Sequence, residues 1–329
     1  MWKNVENVVH PTLKGLGEIL KSVAVESREP NTVKSYNAAF KRWKKWAKNF
    51  PEIEDFPASP TYVALYLTSI MQNANSPAPV TVAFYGIAWA HRLAGVEDPT
   101  QHSLPRTALE AAKRRLGRET VKKEPVTPEM LCAMIETSAD NLKGLRVCTM
   151  CVLAYVGFLR FDELSAITRS DIHFYQAYFE LFIGSAKNDV YRSGNRIVIA
   201  RTGSSTCPYN LLQKYLLMAD IRDNSTEYIF RALTFFKAEN KYKLRSDNKK
   251  LSYTTTREVV QQRLQELGLD KQKFGLHSLR AGGATRAARA GVPDRLFKRH
   301  GRWRSEKAKD AYVDDDLDTK LKVSLSLGL

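Results

Sequence analysis

Hydrophobic residues recur every three or four positions through the first 120 residues, and that period commits this part of the chain to helices. Val33, Tyr36, Phe40, Trp43 and Ala47 make one apolar face, while Lys34, Lys41, Arg42, Lys44, Lys45 and Lys48 occupy the other. Pro51 and Pro57 end that helix. Ser59-Pro60 has the form of a cap and a first-turn proline, opening a second helix through Tyr62, Leu65, Tyr66 and Ile70. A third follows Ser76-Pro77-Ala78-Pro79 and runs through Val82, Tyr85, Trp89 and Leu93 to Gly95. A fourth covers Leu104 to about Thr120 and carries Lys113, Arg114, Arg115 and Arg118 at its end. The tryptophans and tyrosines at these spacings are read as core rather than as a base-stacking platform.

The charged stretch Val121-Lys122-Lys123-Glu124-Pro125 reads as a linker, placing a helical domain at 1–120, a linker at 121–126 and a second domain at 127–329. Thr127-Pro128-Glu129 starts the next helix. A long apolar helix is expected over Leu142 to Leu159. It holds Cys148 and Cys151, whose neighbours Val147, Met150, Val152 and Leu153 mark both as buried residues; no second C-x-x-C pair accompanies them as a zinc site requires. Only then does the period shorten, in Asp171 to Phe174, Tyr178 to Ile183 and Arg196 to Ala200, with Ser193-Gly194-Asn195 as a hairpin break. From Cys207 onward the pattern is helical again. The fold class is therefore mainly α with a small antiparallel β-sheet (α+β).

Charge narrows the function. Lys and Arg number 51 against 35 Asp and Glu, a net charge of +16, which attracts a polyanion, nucleic acid above all. No apolar run approaches the roughly 20 residues of a membrane span, and Trp2 to His10 is polar, unlike a secretory signal. The expectation is a soluble intracellular protein, nuclear if eukaryotic and otherwise cytoplasmic. The acidic cluster Asp314-Asp315-Asp316 reads as a solvated helix cap, not a metal site, and no G-x-x-x-x-G-K-[ST] phosphate loop occurs. No metal and no cofactor is expected.

Four short segments carry chemistry. In Leu276-His277-Ser278-Leu279-Arg280 the spacing puts His277 and Arg280 on one face of a starting helix, a place that favours an anion, although the pair by itself equally describes a surface contact. Arg160 lies in Gly157-Phe158-Leu159-Arg160-Phe161-Asp162-Glu163-Leu164, at the end of the apolar helix, where a charge needs a partner such as Glu163. Lys187 is the single lysine between Ile172 and Gln213 and falls in the expected hairpin. Gly301-Arg302-Trp303 precedes Tyr312 by a short helix, Arg304 to Val313.

In order and spacing these segments resemble the signature of the tyrosine recombinase (phage integrase) family. A G-x-x-R-x-x-E-L segment is matched by Arg160 and Glu163, a hairpin lysine by Lys187, an H-x-x-R box by His277 and Arg280, and a His or Trp nine residues before the nucleophile by Trp303 before Tyr312. The resemblance covers roughly 125 to 329, and the helices before it resemble the family's core-binding (SAM-like) domain. Many members have histidine where Trp303 stands. His300 lies three residues too early and is read as part of a basic surface run, Lys298-Arg299-His300. The Gly-Arg-Trp phrasing also resembles recombinases of eukaryotic mobile elements.

The resemblance implies that Tyr312 attacks a DNA phosphate, that Arg160 and Arg280 clamp its oxygens, and that Lys187 protonates the departing 5′-oxygen. It gives His277 the tyrosine proton or a phosphate contact, Trp303 a hydrogen bond, and Glu163 the orientation of Arg160 or His277. The expected partners are double-stranded DNA and three further copies of the chain. DNA contacts are expected from Lys41, Arg42, Lys44, Lys45, Arg114, Arg115, Lys122 and Lys123, from Lys241, Lys243 and Arg245 in a basic loop over Lys237 to Lys250, and from Arg302 and Arg304. Leu317, Leu321 and Leu325 form a short apolar stripe, expected to pass to a neighbouring protomer in a tetramer. A type IB topoisomerase-like nicking and rejoining enzyme, or a catalytically silent DNA-binding descendant, are the alternatives. Joining of two DNA sites separates a recombinase from both.

Overall fold

The structure, a computed structural model, describes residues 5, 7–119, 122–138, 140–184, 194–315 and 317–327. The chain divides into two compact units, Met1–Val121 and Lys122–Leu329.

The first unit contains α1 (Pro11–Glu26), α2 (Pro30–Ala47), α3 (Pro60–Asn73), α4 (Ala78–Ala94) and α5 (Ser103–Leu116). Its core gathers Trp43 from α2, Val63, Tyr66 and Leu67 from α3, Phe84 and Ile87 from α4, and Leu109 from α5. Trp43 is fully buried and satisfies its indole N–H on the Asp55 carbonyl at 2.9 Å. The expected apolar faces of α3 and α4 are rotated. Leu65 and Tyr85 are exposed, and Val63, Leu67, Phe84 and Ile87 take the core instead. Both helices are apolar around most of their circumference, so periodicity alone does not select the buried face.

In the second unit, α6 (Pro128–Glu136) starts where Thr127 accepts the Met130 amide, 3.3 Å, and α7 (Leu142–Val156) runs through the centre. Almost every side chain of α7 is buried, Cys148 and Cys151 included. This helix ends at Val156, short of the expected Leu159: Gly157 closes it and Phe158 turns the chain with φ +46°. A short helix α8 (Phe161–Ser165) follows, then β1 (Ile172–Phe174), β2 (Tyr178–Ile183) and β3 (Asn195–Ala200). These pair antiparallel in the order β1-β2-β3, with Ile183 opposite Asn195. Phe179, Leu181, Ile197 and Ile199 alternate onto the core face, as the period of two requires.

After α9 (Pro208–Met218) the chain departs from the expected helical run and basic loop. Residues 233–244 form a hairpin of β4 (Leu233–Phe236) and β5 (Lys241–Leu244), turned at Asn240 with φ +47°. Strands of four residues give too brief an alternation to stand out in a basic sequence. Next come α10 (Tyr253–Glu266), α11 (Leu276–Arg289), α12 (Asp294–Gly301), α13 (Glu306–Asp310) and α14 (Leu317–Leu325). Gly282 and Gly283 let α11 press against the chain around α7: a Cβ on either would run into the carbonyl of Val126 or Tyr155. That approach brings Arg280 beneath the Gly157–Arg160 turn. No helix among the described residues is long and apolar enough to cross a membrane.

Candidate active site

The site is built from three segments: the turn after α7, the first half of α11, and the chain from the end of α12 to Tyr312. Arg160 does not end the apolar helix as expected. It is the N-cap of α8, held by Glu163 three residues on, whose Oε2 accepts the Arg160 amide at 2.8 Å and whose Oε1 accepts Arg160 Nη1 at 2.8 Å. A carboxylate at this position of a first turn is a sequence-level cap signal, here combined with an ion pair.

Glu163 is a hub. Its Oε2 also accepts Arg302 Nη2 at 2.7 Å and lies 3.8 Å from Arg280 Nη1. Three guanidiniums thus share one carboxylate, two positive charges in excess among these four groups. Exposure of the side chains is 14% for Arg160, 5% for Arg302, and 0% and 1% for Arg280 and Glu163. Burial pushes the Glu163 carboxyl up. Arg302, the Arg160 amide and the charges of Arg160 and Arg280 together outweigh it and hold the group below the usual carboxylate range. Burial pulls the Arg280 guanidinium down, with Arg160 acting the same way and Glu163 opposing. Starting above about 12, an arginine shifted in this way remains a cation.

Two neighbouring aromatic rings flank Arg280. Its guanidinium carbon lies 4.8 Å from the Trp303 ring and 4.8 Å from the Tyr312 ring. Its Nη1 donates to the Phe158 carbonyl and its Nη2 to the Gly301 carbonyl, 2.7 Å. In this arrangement Arg280 does not present a free fork to an oxyanion, as its expected clamping role needs. The Tyr312 ring covers it. His277, exposed in the first turn of α11, has its ring 6.4 Å from that of Tyr312, and Trp303 stands 5.7 Å from Tyr312. Arg160, Glu163, His277, Arg280, Trp303 and Tyr312 therefore meet in one place, whereas Lys187 lies outside the described residues.

Trp303 is seated by its own neighbours. Gly301 carries no Cβ, which would otherwise enter the Trp303 ring, and Phe158 and Phe297 pack on that ring. Its indole N–H is buried without a hydrogen-bond partner, as is the Nε group of Arg280. Buried donors left over around an excess of positive charge are what an oxyanion satisfies.

Several placements correct the sequence reading. Arg302 is no DNA contact: its guanidinium is buried and donates to the carbonyls of Gly157, Phe158 and His300 as well as to Glu163. His300 is not a surface residue either. It is half-buried against Phe158 and bonds the Val156 carbonyl through Nε2, 2.8 Å, so the indole of Trp303 and not His300 faces Tyr312. Burial lowers its pKa, partly offset by that bond. The helix before the tyrosine is shorter than Arg304 to Val313, because Ser305 caps it by accepting the Ala308 amide, 3.3 Å.

Thr285, absent from the sequence reading, holds the backbone at Tyr312 and Asp314. Its hydroxyl donates to the Tyr312 carbonyl at 3.4 Å and accepts the Asp314 amide at 3.0 Å. The signal was faint, a lone threonine amid the small residues following the H-x-x-R box.

Among the remaining basic residues, Lys41, Arg42, Lys45, Arg114, Arg115, Lys122, Lys123, Lys241, Arg245 and Arg304 are exposed. Lys44 is half-buried near Asp55, 3.6 Å. Lys241 and Lys243 both pair with Glu239 at the hairpin tip.

Residues 124–318 match the model of the phage integrase family. Over 315 residues the chain is 28% identical to an integrase/recombinase XerD homolog of Selenomonas ruminantium, covering 94% of this chain and 87% of that relative. Two solved structures share the fold. One is the XerH site-specific recombinase bound to a palindromic difH substrate in a post-cleavage complex, with TM-score 0.60, 13% identity, and coverage of 90% of this chain and 77% of that one. The other is a lambda integrase dimer bound to a COC′ core site, with TM-score 0.57, 16% identity, and coverage of 92% and 95%.

Proposed function

The chain belongs to the phage integrase family of tyrosine recombinases, and on that premise we propose that it is a site-specific recombinase that cleaves and rejoins double-stranded DNA through a covalent 3′-phosphotyrosyl intermediate. Tyr312 attacks the scissile phosphorus, the bond to the 5′-oxygen breaks, and the released strand end leaves as a hydroxyl after taking a proton from Lys187. The phenol proton passes to His277 or to solvent. Rejoining is the reverse, with a 5′-hydroxyl attacking the phosphotyrosine, so the phosphodiester energy is conserved and no nucleotide is consumed.

The observation that carries this reading is the packing of Tyr312 on Arg280, one of three arginines gathered around the buried Glu163 carboxylate. A phenol with a solution pKa of about 10 is a poor nucleophile at neutral pH. Adjacent cations offset the charge that grows on the phosphate oxygens. Arg160 meets the phosphate directly, and Arg280 reaches it once the Tyr312 ring swings off its face. Trp303 contributes its unpartnered N–H. The exposed Lys41, Arg42, Lys45, Arg114, Arg115, Lys122, Lys123, Lys241, Arg245 and Arg304, with the half-buried Lys44 and Lys243, contribute phosphate contacts along the duplex.

Tyr312→Phe removes only the phenol oxygen. Nicked suicide duplexes, made from DNA ends that the wild-type protein captures, should give a protein–DNA adduct on denaturing gels with the wild type and none with the variant, at near-equal DNA affinity. An adduct that persists in Tyr312→Phe would move the nucleophile to another residue.

The functional unit is proposed to be a tetramer on two sites; lambda integrase has been seen as a tetramer bound to a Holliday junction. Leu317, Leu321 and Leu325 of α14 are exposed on this chain. An isolated helix this short is unstable in water, and a neighbouring protomer supplies a surface for it. Deleting residues 317–329 should preserve single-site binding in gel shifts and abolish paired-site complexes in light scattering; tetramers formed by the truncated chain would refute the exchange.

A further inference from the structure

Arg302 occupies a costly position. It is a non-glycine residue in the left-handed region, φ +55° and ψ +38°, and its guanidinium is buried. Such conformations persist where surrounding interactions over-determine them. Here the fork makes four acceptor contacts: Gly157 O at 3.1 Å, His300 O at 2.8 Å, Phe158 O at 2.9 Å and Glu163 Oε2 at 2.7 Å. Two of these acceptors are contested. Arg280 donates to the same Phe158 carbonyl and lies 3.8 Å from the same carboxylate oxygen.

We propose that Arg302 is a positioning residue that holds Glu163 away from Arg280, so that Arg280 is not closed into a hydrogen-bonded pair and keeps most of its charge for the scissile phosphate. This rests on the phosphotransfer reading above. Glu163 has two oxygens, and each is engaged at hydrogen-bond distance elsewhere: Oε1 by Arg160 and Oε2 by Arg302. Arg280 stands about 1 Å beyond a charge-assisted bond of roughly 2.8 Å. Without Arg302, nothing but the Arg160 amide holds Oε2, and the carboxylate is drawn across that gap to the nearest buried cation. Glu163 and Arg280 would then form a closed pair, and a phosphate would meet a neutralised site. Lysine cannot replace the planar fork that spans three carbonyls and a carboxylate.

The test compares Arg302→Gln, Glu163→Gln and the double variant in the full-length protein. Single-turnover cleavage of the suicide duplex is measured together with calorimetric titration of orthovanadate as a phosphate mimic. Arg302→Gln should cleave about 30-fold slower, with vanadate affinity reduced to a similar degree and DNA affinity nearly unchanged, a loss below that of removing an oxyanion donor outright. The double variant should recover cleavage and vanadate binding by about tenfold over Arg302→Gln, because the competing carboxylate is gone. A merely structural arginine gives no such rescue. A double variant no better than Arg302→Gln in both measurements would overturn the proposal. If Arg302→Gln fails to fold by thermal melt, Arg302→Lys with and without Glu163→Gln takes its place under the same criterion. Absence of a wild-type adduct would strike the recombinase reading alone, since the vanadate titration still decides whether Arg302 controls the anion site.

Discussion

The cations of α2 and those clustered around Glu163 are the same chemistry in opposite settings. Lys41, Arg42 and Lys45 project into water, and even the paired Lys44 sits 3.6 Å from Asp55 with both groups partly solvated. Arg160, Arg280 and Arg302 are withdrawn from water, and each nitrogen that finds a partner finds it on a named carbonyl or on Glu163. Exposed charges act additively through a screened field, so any one is expendable. Buried charges depend on particular acceptors, so removing one member leaves the others uncompensated.

The hardest break of that contrast is Glu163→Ala, which leaves three buried guanidiniums without their carboxylate. It should lower unfolding free energy by about 3–5 kcal/mol, read from urea midpoints, whereas Asp55→Ala, which frees the partly solvated Lys44, should cost under about 1 kcal/mol. Equal losses would erase the distinction between the two regions. The same carboxylate gives a pH signature. Its folded pKa is depressed, so its stabilisation is complete above the unfolded value of about 4.3 and fades as pH falls through the folded one. Below that unfolded value Glu163→Gln should therefore lose less stability per pH unit than the wild type. Parallel acid limbs would show that Glu163 does not carry this linkage.

Arg160→Ala should come next, slowing cleavage about a hundredfold or more, the scale of a lost oxyanion donor, while duplex affinity changes little. Normal single-turnover cleavage by this variant would remove Arg160 from the phosphate. The smallest effect is expected on the exposed side. Lys41→Ala should weaken binding to all duplexes alike and lower the salt-dependence slope by about 1, with the bound complex cleaving at the wild-type rate. A change in cleavage rate after salt-matched saturation would give α2 a role beyond phosphate contact.

Much of this protein is legible in residue order. Proline-led helix starts, the all-apolar α7 and the period-two strands emerge because local propensity and burial agree there. The order Arg160, His277, Arg280, Trp303, Tyr312 carries the resemblance to the family, since those residue types at those intervals have few other uses. Residue order does not settle which face of α3 or α4 is buried, because both helices are apolar nearly all round and only their neighbours choose. Nor does it separate Arg302 from Arg304. Both are arginines beside a tryptophan, yet a left-handed backbone at Arg302 sends one guanidinium inward to Glu163, and the other stays in water. Three of the four partners of Arg302 lie some 140 positions away in the chain, and burial of a charge is decided by whether distant carbonyls and a carboxylate converge on it. That convergence is a property of packing, set when α11 closes on the turn after α7 through Gly282 and Gly283.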